Sequence, residues 1–295
     1  MHSTGGACNP SPSDPRIDFA MPELPEVETT RRDIEAAVVG RRIAAVTVYD
    51  RRLRWPVPLD LARSLAGARI RKLSRRSKYL LFAFQRETAS GTMIVHFGMT
   101  GSLRLYPAAP ARRPHDHIDW VLDDGSTLRY HDPRRFGSVL WTTDDPQNHP
   151  LLRDLGPEPL EAGFNGMHLW KAARNRSVAI KSLLMDSQVV VGVGNIYANE
   201  ALFRAGIRPS RPAHRVSRIR MAKLADAVRA VLGEAIAQGG STLRDYVNGR
   251  GEPGRFQLTY FVYGRDGDAC RVCGAAIRSQ YIGQRNTFFC PVCQP

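Results

Sequence analysis

Apolar positions along this chain change period once, and the change divides it. Ahead of it, Val27, Ile34 and Val38 follow an early Pro25 and stop at Gly40. A proline near the first turn and a glycine at the close predict a short helix. From Arg42 to about Thr143 the apolar runs become short and β-branched or aromatic, at residues 43–49, 79–84, 93–97, 118–122 and 139–141. Turn signals such as Asp123-Asp124-Gly125-Ser126 separate them. That many short strands behind one helix predict a β-sandwich. A polar stretch with two prolines, residues 144–150, comes next. Beyond it the period is helical, predicting helices over about 166–173, 178–186, 196–205 and 217–238. The last carries Leu224, Val228, Val231, Leu232 and Ala235 on one face and stops at Gly239-Gly240. The domain boundary is expected near residues 145–155, and no internal repeat is visible.

Composition narrows the class. The 295 residues suffice for two domains with their own cores, and an apolar content of 43% is ordinary for a water-soluble chain. Lys and Arg outnumber Asp and Glu by 42 to 28, a formal charge of +14. Such an excess favours a polyanion such as nucleic acid, because phosphates bound by Lys and Arg release condensed counterions. Four of the five cysteines fall in the last 26 residues, while Cys8 stands alone. That cluster suits zinc in a reducing compartment better than a disulfide framework. No apolar run approaches the roughly 18 residues of a transmembrane helix. Residues 2–20 are rich in Gly, Pro and Ser, with neither a basic n-region nor an apolar h-region. No secretory signal is read there, and the cytoplasm is the expected compartment.

Several motifs carry candidate chemistry. Cys270-x2-Cys273-x16-Cys290-x2-Cys293 places four thiolates in two close pairs, the pattern of one tetrahedral structural zinc. Arg278, Gln280, Tyr281, Gln284 and Arg285 lie between the pairs, where a rigid hairpin could present them to DNA. Gly192-Val193-Gly194-Asn195 lies between two predicted helices, with Asn195 in N-cap position for the second. Free amides at such a start can hold a phosphate, although a plain turn and cap is the commoner outcome. Lys78 heads an apolar strand, where a lysine is usually solvated. Met99, Arg134 and Phe136 sit in segments rich in Gly and Pro, poor places to bury a side chain. Apolar wedges beside an arginine suit an enzyme that extrudes a base and must fill the hole left in the duplex. Residues 248–256 are rich in Gly and Pro and are expected to form a mobile loop.

The run Met21-Pro22-Glu23-Leu24-Pro25-Glu26-Val27-Glu28 is the most informative of all. A proline inside a chain has an acylated nitrogen. A proline exposed as the first residue is a secondary amine, able to attack an aldehyde-like carbon and form an iminium ion. The twenty residues ahead of Met21 decide which of the two Pro22 is.

This run, with residues 179–198, Ser77-Lys78-Tyr79-Leu80-Leu81 and the cysteine pattern, resembles the formamidopyrimidine-DNA glycosylases (the Fpg, or MutM, family). The resemblance covers essentially all of residues 22–294. It implies an α+β chain: an N-terminal two-sheet β-sandwich with a leading helix (22–150), a helix-two-turn-helix domain with a lesion loop (151–255), and a four-cysteine zinc-finger β-hairpin (260–295). It also implies base-excision repair of 8-oxoguanine opposite cytosine and of formamidopyrimidines in double-stranded DNA, by a monomer needing no soluble cofactor. The resemblance further implies that Met21 is the initiator, removed to expose Pro22, and that residues 1–20 are an over-extended reading frame. Pro22 would attack C1′ and release the base through a Schiff base, and β,δ-elimination would then cut the strand. Glu23 would protonate the sugar ring oxygen, and Glu26 would orient the amino terminus. Lys78 and Arg285 would reach phosphates at the lesion. Lys181, Asn195 and His115 would bind the DNA backbone. Met99, Arg134 and Phe136 would fill the void, with Arg134 facing the orphaned cytosine. The loop 248–256 would close over the everted base. Two other readings stay open: an endonuclease VIII-like enzyme for oxidised pyrimidines, and a damaged-DNA-binding protein without chemistry if the leader stays attached.

Overall fold

The structure is a computed structural model that describes residues 21–86, 90–241, 249, 251 and 253–295. The leader 1–20, and Asn248, Arg250 and Glu252 of the expected lesion loop, lie outside the described residues.

Helix α1 (Leu24–Val38) comes first, with Pro25 in its opening turn. There the missing N–H would have had no intrahelical partner. Strand β1 (Ile43–Val48), a short helix α2 (Leu61–Leu65), and strands β2 (Arg69–Arg76), β3 (Tyr79–Gln85) and β4 (Ser90–His96) follow. Strands β5 (Ser102–Tyr106), β6 (Asp116–Leu122), β7 (Thr127–His131) and β8 (Ser138–Thr142) complete the N-terminal part. They form two four-stranded antiparallel sheets, ordered β1-β6-β7-β5 and β2-β3-β4-β8. Leu73, Leu80, Phe82, Trp120, Leu128 and Tyr130 share a buried core that α1 joins through Val27, Ile34 and Val38.

Three of these strands escape the apolar pattern for a common reason. Strand β2 reads Arg-Ile-Arg-Lys-Leu-Ser-Arg-Arg, in which only Ile70 and Leu73 are fully buried. Strands β5 and β7 are each interrupted by an arginine, Arg104 and Arg129. Arg129 is buried all the same, because Asp119 and Asp116 accept its guanidinium hydrogens at 2.6–3.0 Å.

The second half holds helices α3 (Gly166–Ala173), α4 (Ile180–Leu184), α5 (Asn195–Arg204) and α6 (Arg218–Ala237), then the hairpin of β9 (Arg278–Ile282) and β10 (Arg285–Phe289). Helix α4 is shorter than its apolar pattern suggests. Ala179 bridges to Pro212, and Ile180 donates its N–H to the Arg211 carbonyl, so the chain is still extended where helix was expected. One apolar cluster runs from Phe164 through α5 and α6 to Tyr260, Tyr263, Phe288 and Cys290, so the cysteine hairpin shares the helical core.

The two halves meet at α1. Its residues Leu24 to Thr30 are all buried, Glu26 and Glu28 included. A surface helix buries one stripe only; this one is enclosed because it packs on β2 and β3 on one side and on α6 on the other.

Candidate active site and nucleic-acid interface

Pro22 and Glu23 enter α1 at that junction, and both are buried. Glu23 reaches across to the helical half. Its carboxylate accepts the N–H of Gly194 at 2.6 Å and of Ile196 at 3.0 Å. It thereby sits at the amide-rich start of α5. This corrects one sequence expectation. Asn195 is the first helical residue and Gly194 holds the N-cap position. The amides of Gly194 and Ile196 are occupied by a carboxylate from this chain, not left open for a phosphate. The glycines have a steric reason too. A Cβ on Gly194 would lie 2.3 Å from Glu23 Cδ, and one on Gly192 (φ +78°) 2.5 Å from Leu24 Cβ.

Burial pushes the Glu23 carboxyl up to about 7, opposed by the Lys78 charge and by the two amide hydrogen bonds. Glu23 is therefore poised to hold or lose a proton near neutrality. Glu26 accepts the Glu23 N–H at 2.8 Å, the Tyr197 hydroxyl at 2.5 Å and the Ser241 N–H at 2.8 Å. It fixes the backbone beside Pro22 from the far side, and burial raises its pKa as well.

Lys78 is half-buried at the β2–β3 turn, next to Ser77 in the left-handed region (φ +57°). Glu158 holds this turn in place. It accepts Arg75 Nη1 at 2.7 Å, Arg76 Nη1 at 3.1 Å and the Ser77 N–H at 2.7 Å. Glu28 of α1 accepts Arg75 Nε at 3.2 Å. The apolar pattern does not reveal this network. Its only signal is an acid between two prolines, Pro157-Glu158-Pro159, in a basic chain.

Met99 is half-buried, and Arg134 and Phe136 are exposed. Their loops lie against each other: a Cβ on Gly98 (φ +62°) would meet the Phe136 carbonyl carbon at 2.3 Å. The buried carboxylate of Asp132 ties them. It accepts the Thr100 hydroxyl at 2.7 Å and the Gly137 N–H at 2.8 Å, and Thr100 Oγ1 accepts the Arg134 N–H at 3.1 Å. The Arg134 guanidinium rests 4.8 Å from the centre of the Phe136 ring. The pair thus presents a flat, cationic, partly apolar surface. His115 is exposed with φ +71°, just ahead of β6, and its carbonyl accepts the Asp132 N–H.

The remaining residues meet at the C-terminal hairpin. Gly283 and Gln284 turn it with φ +58° and +60°, the backbone of a tight two-residue loop. Arg285 follows at once, half-buried. The carbonyl of Asn286 accepts both Lys181 Nζ and Asn195 Nδ2, each at 3.0 Å. Lys181 is fully buried and also donates to Thr287 Oγ1 at 2.6 Å. Lys181 and Asn195 thus position the strand that carries Arg285. Glu200, missed in the sequence, receives the N–H groups of Phe261, Val262 and Tyr263 at 2.9–3.0 Å and anchors the chain leading into the hairpin.

The Sγ atoms of Cys270, Cys273, Cys290 and Cys293 all lie within 4.8 Å of one another. Cys270 and Cys293 are 3.9 Å apart, and Cys273 and Cys290 3.4 Å. Zn–S bonds of about 2.3 Å in a tetrahedron set sulfurs close to these separations. The N–H groups of Val272 and Cys293 point to Cys270 Sγ and Cys290 Sγ, as thiolates require. The donor set fits one zinc with four protein ligands and no open position, so the metal is structural.

Three family models match in sequence order. They are the formamidopyrimidine-DNA glycosylase N-terminal domain over residues 21–139, the H2TH domain of the same enzymes over 155–247, and the zinc finger found in FPG and IleRS over 267–295. The chain belongs to the formamidopyrimidine-DNA glycosylase family. The family's enzyme from Methylococcus capsulatus is 54% identical over 274 residues, covering 93% of this chain and 100% of its own. That of Stutzerimonas stutzeri is 55% identical with the same coverage. Among solved structures, MutM (Fpg) of Thermus thermophilus aligns with TM-score 0.81 at 41% identity, over 92% of this chain and 98% of that one. Lactococcus lactis Fpg in complex with abasic-site DNA aligns with TM-score 0.83 at 34% identity, over 92% and 99%.

Proposed function

We propose that this protein is a bifunctional DNA glycosylase and abasic-site lyase that removes formamidopyrimidines and 8-oxoguanine opposite cytosine. The observation that carries the reading is the pairing of Pro22 with Glu23, seated on the Gly194 and Ile196 amides and raised by burial to about 7. Family membership supplies the reaction class, and related solved structures hold abasic-site DNA and N7-benzyl-Fapy-dG DNA.

In this reading Pro22 must be the first residue, so that its nitrogen is a free secondary amine. The family match beginning at residue 21 supports that start. The amine attacks C1′ and the bond from C1′ to the base breaks, the base leaving with the proton that the amine gives up. Glu23 then donates its proton to the ring oxygen as the bond from C1′ to that oxygen breaks, and the nitrogen lone pair forms the iminium. The iminium then acidifies the neighbouring C2′ hydrogen, and the 3′ and 5′ phosphates leave in turn. Lys78 and Arg285 hold the flanking phosphates, and Met99, Arg134 and Phe136 occupy the space vacated by the base. His115, Asn195 and Lys181 serve the DNA backbone, the last through the hairpin it supports. Among the described residues no helix is long and apolar enough to cross a membrane, and the enzyme acts in the cytoplasm on DNA.

Borohydride reduction during turnover on an 8-oxoguanine duplex tests this directly, paired with the mass of the amino terminus. We expect a covalent adduct at Pro22 and a chain beginning there. Active protein that retains residues 1–20 overturns the mechanism. Faster release of thymine glycol than of 8-oxoguanine overturns the substrate.

A further inference from the structure

A cluster of arginines lies where the glycosylase chemistry has no use for it. Arg42, Arg69, Arg71 and Arg86, with Gln85, line a cleft of about 240 Å³. It sits at the opposite end of the β2–β3 hairpin from Lys78. At about 3.3 Å per strand residue, the length of β2 puts roughly 23 Å between the two.

The backbone assembles this cluster. Arg42 and Arg69 face each other across an isolated antiparallel bridge, and Arg69 pairs in turn with Gln85. A register shift between Ile70 and Lys72 leaves Arg71 as the extra residue of a bulge, a device that re-aims a side chain. Carbonyl oxygens orient three of the four guanidiniums: Gly67 O accepts from Arg42 at 3.1 Å, Gly40 O from Arg69 at 2.6 Å and Arg63 O from Arg86 at 3.1 Å. Each keeps most of its five donors for something else.

Like charges directly opposite one another on neighbouring strands destabilise a sheet. Among the described residues no acid forms an ion pair with any of these four. Asp123 and Asp124, just beyond β6, pair with Arg41 instead. An arrangement of converging, oriented arginines with no acid partner among the described residues is relieved by an oxyanion, which guanidinium forks bind bidentately. Among the described residues the lining offers no aromatic or aliphatic wall against which a base could stack. The ligand is therefore a phosphate group rather than a nucleotide held by its base.

We infer that this cleft is a second phosphate site, which takes a backbone phosphate of a DNA segment other than the one carrying the lesion. The choice of DNA rests on the function proposed above. The geometry would let the enzyme hold a neighbouring duplex while still bound to the first, and so pass between segments without dissociating.

The test uses the full enzyme saturated with a short duplex containing a stable abasic-site analogue. A second, labelled, undamaged duplex is then added and followed by fluorescence anisotropy. We expect the wild type to bind it. Arg71→Glu/Arg86→Glu should weaken that binding at least tenfold. It should also flatten the salt dependence by about 0.9 in log–log slope for each phosphate no longer neutralised. Arg71→Gln/Arg86→Gln should weaken it less, and excision from a single short duplex should be unchanged in both variants. Equal binding of the second duplex by wild type and variants, or none by the wild type, overturns the inference. So does inorganic phosphate binding that vanishes in the variants while second-duplex binding persists, since the cleft would then serve a free anion. Failure of the glycosylase reading is distinct: it shows as absent excision by the wild type, whatever the second duplex does.

Discussion

Glu23 shows how much one residue's surroundings decide. In water a glutamic acid is ionised at neutral pH, and two amide donors at a helix start would keep it so. Enclosure between the two halves of the protein outweighs them and raises its pKa to about 7. As the proton donor, Glu23 is competent below that pH and loses its proton above it, so base release should decline as pH rises through about 7. Lys78 holds this value down. Lys78→Gln should therefore shift the descending limb of the single-turnover pH profile to higher pH, besides slowing the reaction. A limb that stays in place would separate it from Glu23. His96 is the converse case. Burial and the charges of Lys78 and Arg54 push its imidazole down to about 4, and its Nδ1 accepts the Gly98 N–H. It stays neutral and serves as an acceptor at the root of the Met99 loop. With its folded pKa lowered, it contributes stability above the ordinary histidine value that is lost as pH falls from there through about 4.

At the scale of elements, polar groups carry much of the specification. Arg129 joins β6 to β7 through Asp116 and Asp119 and also donates to the carbonyls of Pro110 and Ala111. Arg129→Met would leave two buried carboxylates short of a cation, and a loss of about 3–5 kcal/mol is expected in denaturant unfolding. Between the Met99 and Phe136 loops, Thr100 is the common hydrogen-bond partner of Asp132 and Arg134. Thr100→Val keeps the volume but removes both bonds. It should lower kcat on the order of tenfold by letting the wedge residues drift, with little change in KM for the duplex. An equal loss in affinity would place Thr100 in DNA binding instead. The strands legible in the sequence are those with continuous apolar runs, β3, β4, β6 and β8 among them. Strands β2, β5 and β7 are not, because arginines interrupt their apolar runs, and Arg75, Arg76 and Arg129 find their acids only after the sheets have formed.

For the whole molecule, the cysteine hairpin and the helical domain are one packed unit. Cys270 and Cys290 lie in the same apolar cluster as α5 and α6, and Gln294 joins the Cys290 N–H to the Ile207 carbonyl. Removing zinc should therefore do more than free a tail. We expect chelation to lower the thermal midpoint, release the Asn286 carbonyl from Lys181 and Asn195, and abolish DNA binding, with recovery on adding zinc back. Retained DNA affinity in a zinc-free protein would show that the hairpin is dispensable. The spacing of the four cysteines is enough to read the metal site, because tetrahedral thiolate geometry constrains sequence separation directly.

The amino-acid order alone therefore determined the two-part α+β architecture, the metal site and the family, through apolar period, cysteine spacing and a proline-led run of acids. These are local signals, readable within a few turns of chain. Tertiary structure decided what burial and long-range contact create. It placed Glu23 on the amides of Gly194 and Ile196, some 170 positions away in the chain. It also set Glu158 beneath the Lys78 turn, Asp132 between two loops, and Lys181 under the hairpin. Each is a charged or polar group whose role depends on partners distant in sequence, and no pattern along the chain can announce which carboxylate will be enclosed with which donors.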